Sequence, residues 1–396
     1  MILTTLLASA ILAPQQKIDF ADAWTRTRRA IQTRYYAREA RGDEMKALLD
    51  KYEPLAKRAV TKAEFSSAVV QMIVEFGDSH FDFLTDADQG FYAIGALIGG
   101  DHELDMPHVG AWFVERDGRQ VISMVLEGSP AANAGLLPGD SIESVNGSPF
   151  HPIKSLMPLV DEEAEFEIIL RSGRRKTVTM NVLEDEGMGL FYDATRASKE
   201  ILEHDEKTFG YIHLWTMAEK RFKTTLHGFI NGRARNTDGF ILDLRDGFGG
   251  RPEEYADPFF RPGINIEMRI GSGGLVTAFG YSKPLVVIID KGSRSAKEVL
   301  AYILKKSGRA TLVGERTGGN VLGTSPFWIG DWAVLEIPMI DVIVDGIRLE
   351  GVGVEPHVAV IDEFDADGND LFLARALEIL SAQTEAPGLV ELRAAG

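Results

Sequence analysis

The 396-residue sequence contains no cysteine, so disulfides and thiolate metal sites are excluded. Basic residues are few relative to acids: 42 Lys and Arg stand against 59 Asp and Glu, a formal net charge of -17. Nucleic acids and anionic lipids require a basic face, so this balance argues against both as partners. No apolar run reaches the ~18 residues of a membrane span, and none is predicted in the mature form.

Metal and phosphate motifs are missing as well. The eight histidines include no H-E-x-x-H pair, and the glycines around Gly318 and Gly319 lack the G-x-x-x-x-G-K-[ST] arrangement of a phosphate loop. The sequence therefore predicts neither a metal site nor a cofactor.

The composition is that of an ordinary globular protein, with 45% hydrophobic and 26% charged residues. A chain of this length exceeds what one core serves, so two or three domains are expected. The apolar run Met1–Ala13, with small residues at Ala8 and Ala10, resembles a signal-peptide core and A-x-A cleavage site. It predicts a signal peptide over 1–16 and an exported, periplasmic or extracellular protein. The run has no basic residue ahead of it, and an internal start or a buried helix is the alternative.

Helical spacing of apolar residues marks the next segment. Phe20, Trp24 and Ile31 recur at helical intervals, and the pattern continues to Ile73. We expect an N-terminal helical domain over 17–100.

Short strands follow, at Val109–Val114, Gln120–Val125 and Phe166–Leu170. Ser129-Pro130 can open a short helix, and Asn146-Gly147 is a two-residue hairpin signal. The segment 104–185 resembles a PDZ domain. Such domains bind an extended peptide at a sheet edge and capture its terminal carboxylate. The resemblance implies a peptide-binding loop at Val109, Gly110, Ala111, Trp112 and Phe113. A small β domain used only for packing is the alternative.

Strand and helix signals alternate after Gly210. Phe240–Leu244 and Pro284–Ile289 have the apolar character of buried strands, and a helix is predicted over Ala296–Lys306. This alternation predicts an α/β core over 190–370, with a C-terminal helix and tail over 371–396.

Two segments of this core are candidates for chemistry. Ser295 stands at a strand-to-helix turn, where the Ala296 N–H could stabilise an oxyanion; helix capping by Ser293 or Ser295 explains the same pattern. After the other buried strand, Gly249 and Gly250 allow close approach of the backbone to a ligand, as an oxyanion hole requires. A structural turn accounts for these glycines equally well.

Four segments in order resemble the C-terminal-processing and tricorn-core serine peptidases: Asp243–Gly250, Ser293–Glu298, Val313–Thr317 and Leu349–Pro356. Together with the PDZ-like segment, they imply an α/β fold class: a serine-peptidase core (crotonase-like βαβ spiral) with an N-terminal helical layer and a small β-rich PDZ domain. Two positions depart from the family's pattern. Gly247 replaces an asparagine, and His357 replaces an aspartate.

The family divides by the group that activates the serine. Asn320 stands where one branch has its lysine, and Lys297 is expected to face solvent, which disfavours a Ser-Lys mechanism. Gly77-Asp-Ser-His80 resembles the segment that supplies a histidine in the tricorn-like branch. The resemblance implies His80 as general base, Ser79 as its support and Glu350 as the fourth member. A structural histidine, and a glutamate that only anchors a turn, are the alternatives.

The sequence therefore predicts a serine endopeptidase that cleaves peptide or protein substrates by acyl transfer from Ser295, with PDZ-mediated substrate binding or gating. A catalytically inactive peptide-binding protein of the same fold is the alternative, and a Ser-Lys enzyme with an unrecognised lysine is a third. The sequence does not predict an oligomeric state.

Overall fold

The computed structural model describes residues 18–99, 102, 104–260, 264–270 and 273–385. The predicted signal peptide over 1–16 lies outside the described residues, as does the end of the predicted tail, 386–396. Backbone contacts divide the chain into two compact units, which meet in sequence at Gly77 and Asp78. Within the described ranges, no helix combines the length and apolar character needed to cross a bilayer.

The first unit is helical. It contains α1 (Phe20–Arg34), α2 (Gly42–Arg58) and α3 (Lys62–Phe76). Asp19 caps α1 by accepting from two backbone amides, and Thr61 caps α3 by accepting from Glu64 N. Gly77, at φ 70°, ends α3 in the left-handed conformation. The predicted helical periodicity is confirmed, because Trp24 and Ile31 are fully buried.

The second unit begins with β1 (Asp82–Thr85), α4 (Gln89–Ala96) and β2 (Asp105–His108). A small antiparallel β domain follows. Its strands and helix are β3 (Ala111–Arg116), β4 (Arg119–Val125), α5 (Pro130–Asn133), β5 (Ser141–Val145), β6 (Ser148–Pro149), β7 (Glu163–Ile169), β8 (Arg175–Asn181) and β9 (Leu183–Glu186).

Turn chemistry shapes this domain as the sequence predicts. Ser129 Oγ caps α5 at Ala132 N, and Asn146 and Gly147 take positive φ values of 47° and 75° in the tight turn between β5 and β6. The sheet order is β3-β4-β5-β7-β8, with β6 paired to β5, so β3 is an edge strand. Phe166 is fully buried at the centre of the domain.

The remaining chain forms the α/β core. Its elements are α6 (Gly189–Ala197), β10 (Glu200–His204), β11 (Lys207–His213), α7 (Lys220–Asn231), β12 (Gly239–Asp243), α8 (Asp257–Phe260), β13 (Ile264–Ile270), β14 (Gly273–Phe279), β15 (Leu285–Ile289), α9 (Ala296–Lys306), β16 (Thr311–Gly314), β17 (Gly323–Trp328), β18 (Ala333–Ile340), β19 (Ile343–Val344), β20 (Ile347–Arg348), β21 (Val358–Ala359) and α10 (Leu371–Glu385).

The main sheet has the order β10-β11-β12-β15-β16-β21, and every pair after the first is parallel. All five residues of β12 and of β15 are buried, as expected of strands covered on both faces. Because these two strands are parallel neighbours, the turns after their carboxyl ends meet at one edge of the sheet. A second sheet, β1-β18-β17, connects the segment that follows His80 to the core. The predicted α/β class is confirmed.

Candidate active site

Ser295 lies between β15 and α9 in a strained conformation, with φ 57° and ψ -126°. Positive φ is uncommon for a residue with a side chain. Its N–H donates to Asn320 O at 2.7 Å, and its carbonyl accepts from Glu298 N at 2.9 Å. The Ser295 side chain does not cap the helix. Ser293 has the structural role instead: its hydroxyl donates to Leu244 O at 2.8 Å.

Gly249 packs directly against Ser295. A Cβ at this position would lie 2.4 Å from Ser295 Cβ, 2.8 Å from its Oγ and 3.1 Å from Ala296 N. Only glycine therefore fits. Among the described residues, neither the Gly249 amide nor the Ala296 amide has a hydrogen-bond acceptor. Two unclaimed donors next to a serine hydroxyl are what an oxyanion hole requires.

Gly250 lies elsewhere. It forms a backbone bridge with Met217, and a Cβ on it would fall 2.2 Å from the Met217 carbonyl carbon. The turn makes this bridge because Met217 N donates to Gly249 O and Arg251 N donates to Met217 O. Of the three residues predicted for the oxyanion hole, the structure brings Gly249 and Ala296 to Ser295.

Ser79, His80 and Glu350 form one hydrogen-bonded chain. Ser79 Oγ lies 3.0 Å from His80 Nδ1 and 3.0 Å from Glu350 Oε2. Ser79 has one hydroxyl proton, which it donates to the carboxylate, so its oxygen accepts from Nδ1–H. This arrangement keeps the proton on Nδ1 and leaves Nε2 as the basic nitrogen. Among the described residues, Nε2 has no hydrogen-bond partner.

The hydrogen-bonded group of Ser79, His80 and Glu350 is connected to Ser295 through backbone groups. Glu350 Oε2 also accepts from Val321 N at 2.6 Å, and the preceding residue, Asn320, holds Ser295 N. Within the described part of the chain, no hydrogen bond joins Ser295 Oγ to His80. Such catalytic bonds are often long without substrate and tighten in the complex.

His80 is held in its neutral form. Burial, with a smaller contribution from the Arg294 guanidinium, lowers the pKa of His80 to about 3. Arg294 immediately precedes Ser295, so its charge acts on His80 from the turn that holds Ser295. A neutral imidazole can accept the serine proton.

Glu298, the last residue of the Ser293–Glu298 motif, shapes the loop that holds Ser295. Its fully buried carboxylate accepts from Thr317 Oγ1 at 2.5 Å, Gly319 N at 2.9 Å and Asn320 N at 2.7 Å. Burial raises the pKa of Glu298. This acid therefore fixes the position of the Asn320 carbonyl.

The prediction that Lys297 faces solvent is wrong. Its side chain is fully buried, and Nζ donates to Arg245 O at 3.1 Å and to Asp246 O at 2.6 Å. The reason is that the first turn of α9 packs on the glycine-rich turn after β12. Gly247, the departure from the family's asparagine, is required here. At its φ of 67°, a Cβ would lie 2.0 Å from Trp215 O.

The start of the glycine-rich turn is fixed by a buried ion pair. Arg245 binds Asp243 through several hydrogen bonds of 2.6–3.1 Å, and it also contacts Glu363 and Asp370, both at 2.7 Å. Burial alone would raise the pKa of Asp243, but the Arg245 guanidinium holds it well below its usual range.

A cavity of about 380 Å³ lies between the β domain and the core. Its lining includes Trp112 and Phe113 from β3, together with Phe248 from the glycine-rich turn and Arg294 from the turn before α9. The Trp112 and Phe248 ring centroids are 5.8 Å apart, and the Arg294 guanidinium lies 5.2 Å from the Phe248 ring centroid. The residues adjoining Gly249 and Ser295 in sequence thus form one wall, and the PDZ-like edge forms another.

Several groups of the predicted peptide-binding loop are buried or already form hydrogen bonds within the protein. Val109 and Ala111 are buried in the β domain, and Gly110 O accepts from Leu126 N. At the outer edge of β3, the Gln89 side-chain amide donates to Ala111 O at 3.0 Å and accepts from Phe113 N at 2.9 Å.

These are the two backbone groups that an added peptide strand would pair with. Gln89 has no sequence signal for this role, because it lies in the segment predicted to belong to the helical domain, away from the β domain.

The β domain is connected to the glycine-rich turn through His213 and Trp215. Glu127 Oε1 lies 2.7 Å from His213 Nδ1, and Oε2 accepts from Trp215 Nε1 at 2.5 Å. His213 Nε2 in turn lies 3.0 Å from Arg245 O. Burial alone would lower the pKa of His213, but the adjacent Glu127 carboxylate raises it. Trp215 O accepts from Phe248 N at 2.9 Å, within the same turn.

Three segments of the chain match models of known protein families. Residues 208–360 match the model of "Peptidase family S41", residues 121–172 match "PDZ domain", and residues 16–74 match "Tricorn protease C1 domain".

The chain is 26% identical to the carboxy-terminal processing protease CtpA of Bacillus subtilis (strain 168) over 342 residues, covering 74% of this chain and 72% of that protein. It is 27% identical to the putative tricorn-like protease C-terminal subunit of Sulfurisphaera tokodaii over 387 residues, covering 92% of this chain but only 43% of that protein. The chain therefore spans less than half of the second relative's length.

Among solved structures, the photosystem II D1 C-terminal processing protease aligns with a TM-score of 0.54 at 20% identity. The alignment covers 93% of this chain and 98% of that one. At this level of identity the likeness shows a common fold.

Proposed function

We propose that the protein is a serine endopeptidase with Ser295 as its nucleophile, because residues 208–360 match the model of peptidase family S41. The observation that carries the proposal is the hydrogen-bonded chain from Glu350 through Ser79 to His80, which leaves Nε2 basic. An inactive peptide-binding protein would have no use for a neutral histidine, a strained serine and unclaimed amides in one place.

The proposed reaction is acyl transfer. His80 Nε2 accepts the Ser295 Oγ proton while Oγ attacks the carbonyl carbon of the scissile bond. The Gly249 and Ala296 amides donate to the oxyanion that forms. When the tetrahedral intermediate collapses, the C–N bond breaks and His80 returns the proton to the leaving amine. Water, deprotonated by His80, then attacks the acyl carbon; the bond from that carbon to Ser295 Oγ breaks, and His80 returns the proton to Oγ.

In this scheme Ser79 and Glu350 orient His80. Nδ1–H donates to Ser79 Oγ, and the carboxylate at the far end of the chain stabilises the imidazolium that proton transfer creates. The arrangement follows the logic of a catalytic triad, with a hydroxyl inserted between histidine and acid.

We also propose that the PDZ domain binds the substrate chain and gates the site. The support is twofold. The β3 edge and the glycine-rich turn face one cavity, and Glu127 contacts His213 and Trp215, which brace that turn. A peptide bound at the β3 edge would displace Gln89 and lead its chain into the cavity.

The test is covalent labelling by a fluorophosphonate probe, together with cleavage of quenched-fluorescent casein. Wild type should label and cleave, and Ser295→Ala should do neither. Ser307→Ala, which alters an exposed serine at the end of α9, is the matched control and should behave as wild type. A folded wild-type protein that neither labels nor cleaves casein would favour the inactive peptide-binding alternative.

Export is a separate proposal, supported by the apolar segment Met1–Ala13 and its A-x-A pattern. Fractionation of expressing cells and sequencing of the mature N-terminus test it. A mature chain that starts near Lys17 and is found outside the cytoplasm is expected. An intact N-terminus in the cytoplasmic fraction would contradict it.

A further inference from the structure

Lys297 is a fully buried lysine that the proposed reaction does not use. Its Nζ donates to two consecutive carbonyls, those of Arg245 and Asp246, at 3.1 Å and 2.6 Å. An ammonium group is costly to bury without partners, so these contacts account for its presence in the core. Burial lowers the pKa of Lys297 to about 7, while carboxylates including those of Asp246 and Asp290 act in the opposite direction.

The two carbonyls belong to the entrance of the glycine-rich turn. Asp246 and Gly247 both adopt positive φ, at 46° and 67°, where the chain reverses after β12. A side chain at Asp246 makes this conformation unfavourable, so the turn needs external contacts to hold it. Lys297 supplies them on one side. On the other side, Phe248 N donates to Trp215 O and Gly249 O accepts from Met217 N.

Lys297 is also placed on the nucleophile's own helix, one residue beyond Ala296. One side chain thereby ties the first turn of α9, which carries Ser295 and one oxyanion donor, to the turn that carries the other donor, Gly249. The fit between these parts is close, because Gly249 has no room for a Cβ beside Ser295. A small shift of either part would separate the two amides from the position of the oxyanion.

We propose that Lys297 is a positioning residue that fixes the glycine-rich turn against Ser295 and so assembles the oxyanion hole. The proposal rests on the proposed peptidase function. It differs from a Ser-Lys mechanism, in which Lys297 would be the base. Among the described residues, Nζ contacts carbonyl oxygens and makes no hydrogen bond to Ser295 Oγ.

Two substitutions separate these roles. Lys297→Met keeps the length of the side chain and removes every donor. Lys297→Gln keeps N–H donors but has no group that can act as a base. Lys306→Met, at an exposed position near the end of the same helix, is the matched control. Each variant is assayed in the full chain for kcat and KM on quenched-fluorescent casein, and for the pH dependence of fluorophosphonate labelling.

We expect Lys297→Met to lower kcat about 10- to 100-fold, because a misplaced oxyanion donor acts on the transition state, with KM changed less than about twofold. Lys297→Gln should retain more activity than Lys297→Met, and the pH profile should keep its wild-type shape in both. Lys306→Met should match wild type. Equal loss in the Met and Gln variants with the pH limb abolished would assign Lys297 as the base instead. Wild-type kcat in Lys297→Met would overturn the proposal outright.

Amide hydrogen exchange provides a readout that is independent of activity. Lys297→Met should speed exchange in residues 244–250 relative to β15, and unchanged exchange there would contradict the proposal. If Lys297→Met does not fold, as judged by thermal denaturation, the Gln variant carries the same comparison. Ser295→Ala distinguishes failure of the proposed peptidase function from failure of the Lys297 proposal. If Ser295→Ala still cleaves casein, the proposed function is wrong, whatever the Lys297 variants do.

Discussion

Replacing Glu350 by glutamine tests the polar chain behind His80 most specifically. The substitution keeps the shape of the side chain and one acceptor oxygen, so the bonds from Val321 N and Leu322 N, at 2.6 and 3.2 Å, can remain. The negative charge is lost. Its loss weakens the bond from Ser79 Oγ, which in turn holds His80 Nδ1.

The size of the effect follows from that lost charge. A hydrogen bond to a charged group contributes about 1.5–3 kcal/mol, and a neutral one about 0.5–1.5. The difference, about 1–2 kcal/mol, is realised mainly when His80 carries the transferred proton. At about 1.4 kcal/mol for each tenfold change in rate, kcat for casein should fall about 5- to 30-fold. KM should be nearly unchanged, because Glu350 does not line the cavity.

The control is Glu355→Gln, which removes an exposed carboxylate from the same late segment and should leave kcat unchanged. Glu350 acts through Ser79, so Ser79→Ala combined with Glu350→Gln should be no slower than Ser79→Ala alone, within about threefold. Wild-type kcat in Glu350→Gln would show that the Glu350 charge does not stabilise protonated His80. Fully multiplicative losses in the double variant would show that the two residues act separately.

Four further predictions concern other parts of the site. Gly249→Ala should abolish fluorophosphonate labelling, because the added Cβ would lie 2.4 Å from Ser295 Cβ. Gly228→Ala is the control and should label normally, because its Cβ would meet nothing within 4 Å. Labelling of Gly249→Ala at the wild-type rate would contradict the site geometry. The lowered pKa of His80 keeps the active neutral base well below pH 6.5, so the acid limb of the labelling rate should lie under that value, and an acid limb at pH 6.5 or above would be inconsistent with the buried histidine. Removing the Arg294 charge raises the pKa of His80, so Arg294→Met should move the limb to higher pH. Gln89→Ala should increase several-fold the affinity for a fluorescent peptide that has an apolar C-terminus and a free carboxylate, because Gln89 occupies the β3 edge. Fluorescence anisotropy on Ser295→Ala protein measures this affinity. Unchanged affinity would show that Gln89 does not compete for the β3 edge.

The parts of the fold that depend on local chemistry could be predicted from the sequence. The Asn146-Gly147 turn forms as expected because both residues tolerate positive φ. The helix over Ala296–Lys306 has the predicted bounds, since apolar spacing and the preceding turn define it. The two central strands begin and end within one residue of prediction, because fully buried parallel strands are continuous apolar runs.

Features that depend on tertiary contact could not be predicted. Periodicity gives no reason to bury a lysine in the first turn of a helix, and Lys297 is buried only because two carbonyls from a distant turn lie opposite it. The Gln89 contact joins α4 to the PDZ edge, and the Glu127 contact joins the PDZ domain to the core. Neither has a signal in one sequence without an alignment.

In the candidate site, too, some residues could be predicted from the sequence, whereas the roles of others depend on tertiary contacts. The family resemblance supplied His80, Ser79 and Glu350 as a group, and the structure brings these three together. Glu298 belongs to the Ser293–Glu298 motif, but only its three hydrogen bonds in the structure show that it fixes Asn320. Gly250 was selected for its residue type, whereas the backbone bridge to Met217 decides where it lies.

The proposed peptidase function depends on Ser295 as the nucleophile and on His80 as its base. Mass spectrometric mapping of the fluorophosphonate adduct, in wild type and in His80→Ala, tests both parts at once. We predict a single adduct on the peptide containing Ser295 in wild type, with the labelling rate reduced at least about 100-fold in His80→Ala. An adduct on another residue would show that Ser295 is not the nucleophile, and labelling of His80→Ala at the wild-type rate would show that His80 is not its base.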